Sequence, residues 1–310
     1  MPLVDVIIPC HNAERFLGAC LQSVAVQSET RWRALIVDDA SSDGSGSFAA
    51  AWCARDARMR LLRLETNRGV CSARNSGAAQ TTAPYLLFLD ADDLLDPTML
   101  ETATRYLDDH DAVSAVHVGH RLVDEDGAGG RPAAGEWPWV RLVPSRWATR
   151  ALSPGEASTP FCSIYLVAVA VPSLVVMRRQ VFEAVGGFDE ALGQGCEDTD
   201  LFLRLALLGE LHSIPDVLVS YRQHATQHSR GTTFADQYAK LLQKWAAMPL
   251  SPADRRTVEA AEWFRARRFV PSRQWRAVGG LVRTGALLQA GRVLLTAARG
   301  YSAWRPPGQG

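Results

Sequence analysis

Tyr85-Leu86-Leu87-Phe88-Leu89-Asp90-Ala91-Asp92-Asp93 runs five apolar or aromatic residues straight into three carboxylates within four positions. Such a run, with Pro84 in front, reads as a strand buried on both faces, and strands of that kind belong to parallel sheets covered by helices. The carboxylates then fall at the carboxyl end of the strand, where open α/β sheets bind ligands. Clustered there, they repel one another unless a hard cation such as Mg²⁺ or Mn²⁺, usually with a phosphate, sits among them. The plainer alternative is a solvated acidic turn before the next helix. That alternative suits Asp96 of Asp96-Pro97, and the end of a buried strand favours ligand binding for Asp90, Asp92 and Asp93.

The flanking sequence extends the pattern. Val4 to Pro9 reads as a buried strand, followed by a helix with Asn12 as its N-cap and Phe16, Leu17, Cys20, Leu21 and Val24 on one face. A strand from Trp32 to Val37 ends in Asp38-Asp39-Ala40-Ser41-Ser42-Asp43-Gly44 and opens a helix with Phe48 and Trp52 on its apolar face. Met59 to Leu64 is a third strand, and a helix holding Arg74 and Asn75 leads to the strand at Tyr85. Four strands alternating with three helices predict a parallel sheet with every loop on one edge. Beyond it, a helix from Pro97 to about Leu107 and a strand from Ala112 to Val118 still fit. Asp124 to Pro160, rich in Gly, Pro and Trp, reads as a long functional loop. A strand region over Ile164–Met177, a short helix around Val181, a helix from about Asp198 to Leu208 with Leu201, Phe202, Leu205 and Leu208 inward, and a strand Val217–Tyr221 follow.

The 310 residues carry a formal net charge of zero, which conceals a split. Residues 251–310 hold eleven arginines against Asp254, Glu259 and Glu262, a surplus of eight that leaves residues 1–250 at minus eight. The six cysteines form no Cys-x-x-Cys pair, so buried thiols in a reducing cytoplasm are expected. The N-terminus enters an apolar strand at once, so no signal peptide is expected, and the uncharged run Ala157–Met177 is broken by Pro160 and Pro172, which favours a buried strand over a membrane span. Strand one is followed by Pro9-Cys10-His11-Asn12, not by a Gly-x-Gly-x-x-Gly or Gly-Lys-Ser/Thr loop, which excludes a Rossmann dehydrogenase or a P-loop enzyme.

Other polar groups have two readings each. Asp38-Asp39 could accept from a base or ribose hydroxyl, or form an N-cap or Asx turn. Glu197-Asp198 begins a helix, where acids are favoured by the dipole, and a carboxylate there could also take a proton from a hydroxyl. His224 could ligate a metal or merely be exposed, whereas His117 and His120 are expected to be structural.

Six motifs occur in order: Pro9-Cys10-His11-Asn12-Ala13-Glu14, Val37 through Gly44, Asn67-Arg68-Gly69 with Ala73-Arg74-Asn75, Phe88 through Asp93, Gly186-Gly187-Phe188-Asp189-Glu190, and Glu197-Asp198-Thr199-Asp200-Leu201. Over about residues 3–230 the chain resembles the glycosyltransferase family 2 enzymes of the GT-A fold. The resemblance implies an α/β fold of the nucleotide-diphospho-sugar transferase type, a mainly parallel central sheet flanked by helices. The expected catalytic domain spans 1–230, with a nucleotide-binding half at 1–118 and an acceptor half at 119–230. A basic helical appendage is expected at 231–310.

By that likeness the chain is an inverting, metal-dependent hexosyltransferase drawing on a nucleotide-sugar donor, UDP-linked, for cell-surface glycan or glycoconjugate synthesis. Asp39 would bind the base, with Pro9, Asn12 and Glu14 around the nucleoside and Arg74 near the donor phosphates or base. Asp90 and Asp92 resemble the Asp-x-Asp pair, the first toward the ribose or sugar, the second on Mn²⁺ or Mg²⁺ with His224, which leaves Asp93 as a supporting residue. Asp198 resembles the catalytic base, supported by Glu197. A non-catalytic glycan or nucleotide-sugar binder on the same fold, or a nucleotidyltransferase, is the alternative. The acceptor would be a glycan, a lipid-linked species or a small molecule. The Gln-x-x-Arg-Trp motif of processive synthases is missing, so one sugar per encounter is expected. In the appendage Arg265, Arg267, Arg268, Arg273, Arg276 and Arg283 alternate with Trp263, Phe264, Phe269 and Trp275. It reads as a helical packing unit, on its own domain or on a second copy in a homodimer, or as a peripheral contact with the inner face of the membrane. No nucleic-acid recognition motif accompanies the charge, so no nucleic-acid partner is expected.

Overall fold

The computed structural model describes residues 1–132, 171–225 and, apart from 242 and 246, 240–249. The strand expected over 164–170, the loop at 133–160 and the arginine-rich helices of 251–310 lie outside these. The first half alternates as the hydrophobic pattern predicts: β1 (Val4–Cys10), α1 (Glu14–Ala25), β2 (Trp32–Asp38), α2 (Ser45–Cys53), β3 (Met59–Arg63), α3 (Val70–Ala79) and β4 (Tyr85–Phe88). β1 pairs in parallel with β2 and β4, and β2 with β3. Every residue of β1 and β4 is buried, as an apolar run between two covered faces requires.

The second half adds β5 (Leu94–Leu95), α4 (Met99–Asp108), β6 (Val113–Val123), β7 (Arg131–Pro132), β8 (Val175–Arg178), α5 (Arg179–Ala184), α6 (Glu197–Leu208) and β9 (Glu210–Arg222). Strand order is β3-β2-β1-β4-β8-β6-β9-β5, with β7 on the side of β6. β8 runs antiparallel to both β4 and β6, so the sheet is mixed, parallel in its first half. Among the described residues this is an α/β sheet flanked by helices, and β4 stands near its middle with its acidic end between the two halves.

Local expectations are corrected in five places. Asn12 is not the N-cap of α1; Ala13 holds that position, without a side-chain cap, and Asn12 adopts φ 51°. α2 buries Ser45, Gly46 and Ala49, leaving Phe48 36% exposed, because a Cβ on Gly46 would stand 2.5 Å from Asp38 Oδ2. The helix packs too closely for large residues on that face. Leu208 of α6 is likewise exposed. β6 continues beyond Val118 to Val123, where polar Gly119-His120-Arg121 conceals a strand that pairs with β9. β9 begins seven residues before Val217, at Glu210. Pro215 and Asp216 look like a strand break, yet the register steps from Ile214 opposite Val118 to Val217 opposite Gly119, and a bulge takes up both.

A buried carboxylate fastens the middle of the sheet. Asp5 of β1 is fully buried and accepts from Arg33 (3.1 and 3.2 Å), Ala83 N (2.6 Å) and Arg179 Nη2 (2.9 Å). β1, β2, the entry to β4 and the start of α5 therefore share one charge. α3 lies close on this sheet: a Cβ at Gly77 would be 2.4 Å from Ile7 Cγ2 and 3.0 Å from Val37 Cγ2. Alanine would add about 1 kcal/mol of helix propensity there. Overpacking against branched core side chains costs about 1–3 kcal/mol and should win. Gly77→Ala is therefore expected to lower the urea-unfolding free energy; a variant more stable than the parent would show that α3 can move away.

Candidate active site

The first two loops at the carboxyl edge hold one another. Asn12 Oδ1 accepts from Ser42 N (2.8 Å), Ser42 Oγ (3.2 Å) and Asp43 N (3.3 Å), while Asn12 N donates to Ser41 Oγ (3.0 Å). The amides opening α1 find their acceptors in the next loop, Ala13 N on Ser45 Oγ (2.9 Å) and Glu14 N on Asp43 Oδ2 (3.2 Å). Glu14 Oε2 in return accepts from Gly44 N (3.0 Å). Orphan helix amides are thus satisfied across loops, not by a local cap. Pro9 is buried at the end of β1 beneath them. Asp38 Oδ1 accepts from Ser41 N (2.9 Å), an Asx turn.

Asp39 is 3% exposed and its two oxygens accept from Arg68 N and Gly69 N, each at 2.8 Å. His11 Nδ1 donates to Asp39 O at 2.8 Å. Asp39 therefore organises the loop before α3, and a carboxylate with several lone-pair sites still has room to accept from a ligand.

At the end of β4, three acids meet different partners. Asp90 Oδ1 accepts from Arg74 Nη2 at 2.6 Å. Asp92 Oδ2 lies 2.8 Å from His224 Nε2, and burial, then Asp90, raises its carboxyl above the usual range while His224 opposes them. Asp93 turns inward: it is fully buried, and its Oδ1 accepts from Arg222 N at 3.1 Å. Burial and its two acidic neighbours push it well above the ordinary carboxylate range, which favours the neutral form. His224 packs on Phe16, ring centroids 4.5 Å apart, and Arg222 donates to Asp92 O at 2.9 Å.

Across the edge, α6 presents Glu197 and Asp198 in its first turn. Arg74 of α3, 2% exposed, gives Nη1 to Glu197 Oε1 at 3.0 Å and lies over the Phe188 ring at 5.0 Å. Burial works against its charge, yet Asp90 and Glu197 raise it above the ordinary arginine value, so it stays ionised. Glu197 Oε2 also accepts from Gly195 N at 2.6 Å. Asp198 accepts from Thr199 N and from Thr199 Oγ1 (3.2 Å). Burial first, and Glu197 second, push its carboxyl up to about 7. That range suits a general base working near neutrality.

The predicted residues thus converge. Asp39, Asp90, Asp92, His224, Arg74, Glu197 and Asp198 share one edge, Asn12 and Glu14 brace its loops, and Arg74 bridges two stations instead of standing open beside one. Phe16, Arg222, Phe188 and Thr199 belong to the site too; Phe16 reads as core from its period, Phe188 and Thr199 lie inside the six motifs without an assigned role, and Arg222 carries no signal of its own. Cys10 and Cys71 are pushed by burial to about 11 and about 12, so neither supplies a thiolate, and His120, lowered to about 4 by burial, is a neutral interior group. Among the described residues no three or more His, Cys, Asp or Glu are grouped to hold a metal ion, and no helix is long and apolar enough to cross a membrane. Asp92 and His224 form an oxygen–nitrogen pair, a donor set compatible with Mn²⁺ or Mg²⁺.

A mixed sheet whose acidic carboxyl edge joins two halves defines a GT-A-type α/β transferase fold, and solved structures share it. S. aureus TarS 1-349 in complex with UDP-GlcNAc superposes with a TM-score of 0.65 at 19% identity, over 96% of this chain and 81% of that one. Mannosyltransferase PcManGT from Pyrobaculum calidifontis, in complex with GDP-Man and Mn²⁺, gives 0.60 at 20% identity, over 98% and 87%. Residues 5–186, more than half of the chain, match the model for glycosyl transferase family 2, and residues 157–248 match a glycosyltransferase like family 2. The chain belongs to glycosyl transferase family 2. TuaG of Bacillus subtilis (strain 168), whose name places it in teichuronic acid biosynthesis, is 32% identical over 126 residues, 41% of this chain and 50% of TuaG. The chain spans 30–66% of the length of the first curated relatives it matches.

Because both Asp39 oxygens hold backbone amides, Asp39→Ala is expected to weaken the unliganded protein by about 1–3 kcal/mol, the range for buried groups left without partners. Urea unfolding without nucleotide measures this; unchanged stability would reduce Asp39 to a ligand contact.

Proposed function

We propose that this protein is an inverting glycosyltransferase, moving a sugar from a UDP-linked donor to an acceptor hydroxyl in cell-surface polysaccharide synthesis. The observation that carries the proposal is Asp198, a carboxylate held near 7 and set across the edge from the Asp90–Asp92 acids. Family membership supports the reaction class, the UDP-GlcNAc complex of TarS supports the donor class, and TuaG supports the polysaccharide setting.

In this reading the loops braced by Asn12 and Glu14, with Pro9 beneath, surround the nucleoside, and Asp39 accepts from the base. Asp90 faces the ribose or sugar, its orientation set by Arg74. Asp92 and His224 would hold the divalent cation, Mn²⁺ or Mg²⁺. Bound there, the cation would neutralise charge on the departing diphosphate; PcManGT with Mn²⁺ and GDP-Man supports such use. Asp198 accepts the proton of the acceptor hydroxyl as its oxygen bonds to the anomeric carbon. The bond to the diphosphate breaks on the opposite face, and nucleoside diphosphate leaves. One displacement inverts the centre. Glu197, pinned by Arg74 and Gly195 N, keeps a negative charge beside Asp198 and so maintains its basicity.

The base is active as the carboxylate, and its pKa is raised, so activity is lost as pH falls. kcat/KM is expected to rise with pH below about 7 and to level off above it. Asp198→Asn should remove this limb and lower kcat by roughly 10²- to 10⁴-fold while nucleotide-sugar binding, followed by thermal shift, persists. A fully active Asp198→Asn would overturn the base assignment, and release of pyrophosphate in place of nucleoside diphosphate would overturn the reaction class.

A further inference from the structure

The far side of the base-bearing turn carries a second acidic centre. Asp200 follows Asp198 by two residues, about 200° around the helix at 100° per residue, so it points away from the edge. It is fully buried. Its Oδ2 accepts from Arg204 Nε at 2.8 Å, and Arg204 Nη1 donates to Val185 O and Gly187 O, both at 2.7 Å. Its Oδ1 takes two groups from the chain that follows β9: Trp245 Nε1 at 3.1 Å and Lys244 Nζ at 2.8 Å. Lys244 reaches Asp189 Oδ2 as well, at 2.7 Å, in the Gly-Gly-Phe-Asp-Glu turn. Trp245 is fully buried.

Resting on the reading of Asp198 as the base, we propose that Lys244 and Trp245 are positioning residues: through Asp200 they fix the rotation of the first turn of α6 and so the direction of the Asp198 carboxylate. Two cations and an indole share one buried carboxylate, and two of the three donors come from some forty residues downstream in sequence. A buried acceptor that loses a donor is left undersatisfied, and rotation of a short turn is its nearest relief. Lys244 couples that turn to Asp189, two residues beyond Gly187, whose carbonyl Arg204 holds together with that of Val185. Both ends of the 189–200 segment are thereby tied to the downstream chain. The donor-side groups Asp39, Asp90 and Asp92 sit on other elements and make no bond to Asp200; Asp90 is linked to this turn only through Arg74 and Glu197, so disturbance here should reach the proton transfer more than donor binding.

The full chain carrying Lys244→Met, Lys244→Arg or Trp245→Phe tests this. Lys244→Met and Trp245→Phe are expected to lower kcat roughly 10- to 100-fold, the range for misplacement of a reacting group by a distant change. Donor KM should change less than kcat, and Lys244→Arg, which keeps the cation, should recover most of the loss. Backbone amides of Thr199, Asp200 and Leu201 should exchange hydrogen faster in Lys244→Met than in the parent, with β1 and β4 unchanged. Parent kcat in both Lys244→Met and Trp245→Phe, or a raised donor KM at unchanged kcat, would overturn the proposal. If the parent protein transfers no sugar, the functional reading fails on its own, and amide exchange decides this one: equal rates in Lys244→Met and the parent would refute it.

Discussion

Arg74 makes the acidic edge tenable. Asp90, Asp92, Asp93, Glu197 and Asp198 converge from β4 and α6, and five carboxylates in a partly desolvated place cannot all ionise unaided. Arg74 sets one guanidinium nitrogen on Asp90 and another on Glu197, so one buried cation serves both halves of the sheet. Removing one partner of such a buried pair costs about 3–5 kcal/mol, because the other is left uncompensated. The remaining charge is handled in three other ways. Asp93 is driven toward its neutral form, Asp92 leans on His224, and Asp198 is held near neutrality. In the proposed mechanism that last solution is what lets Asp198 serve as the base.

The fold sets these groups in place through rigid connections. β4 lies between β1 and the antiparallel β8, and Asp5 fastens that junction to Arg33 and Arg179. The loops following β1 and β2 cap each other's helices, so this part of the edge is built by mutual hydrogen bonds among Asn12, Glu14, Ser42 and Asp43. α6 is held on its inner side by Asp200 and Arg204.

Much of this was legible in the chain. Tyr85 to Leu89 could hardly be anything but a covered strand, and the regular alternation before it left one parallel arrangement. Polar loops at the strand ends then placed Asp39, Asp90 and Asp92 together, and ordered motifs added Asp198. What escaped depends on partners far apart in sequence. Asn12 looks like an ordinary helix cap, yet it binds the loop thirty residues on. Pro215 reads as the end of a strand because only pairing with β6 reveals a bulge. Gly46 explains why α2 buries small residues, and that follows from contact with Asp38, not from period. Arg74 takes its meaning from groups 16 and 123 residues away, and Asp200 from a tryptophan 45 residues on.

The central claim is that an acceptor oxygen, deprotonated at Asp198, displaces the diphosphate in one step. Following the product's anomeric proton by NMR from the first turnovers, with a nucleotide sugar that the enzyme accepts, tests it most directly. The new linkage should have the anomeric configuration opposite to that of the donor. A product retaining the donor's configuration would contradict a single displacement and leave Asp198 without the role assigned to it.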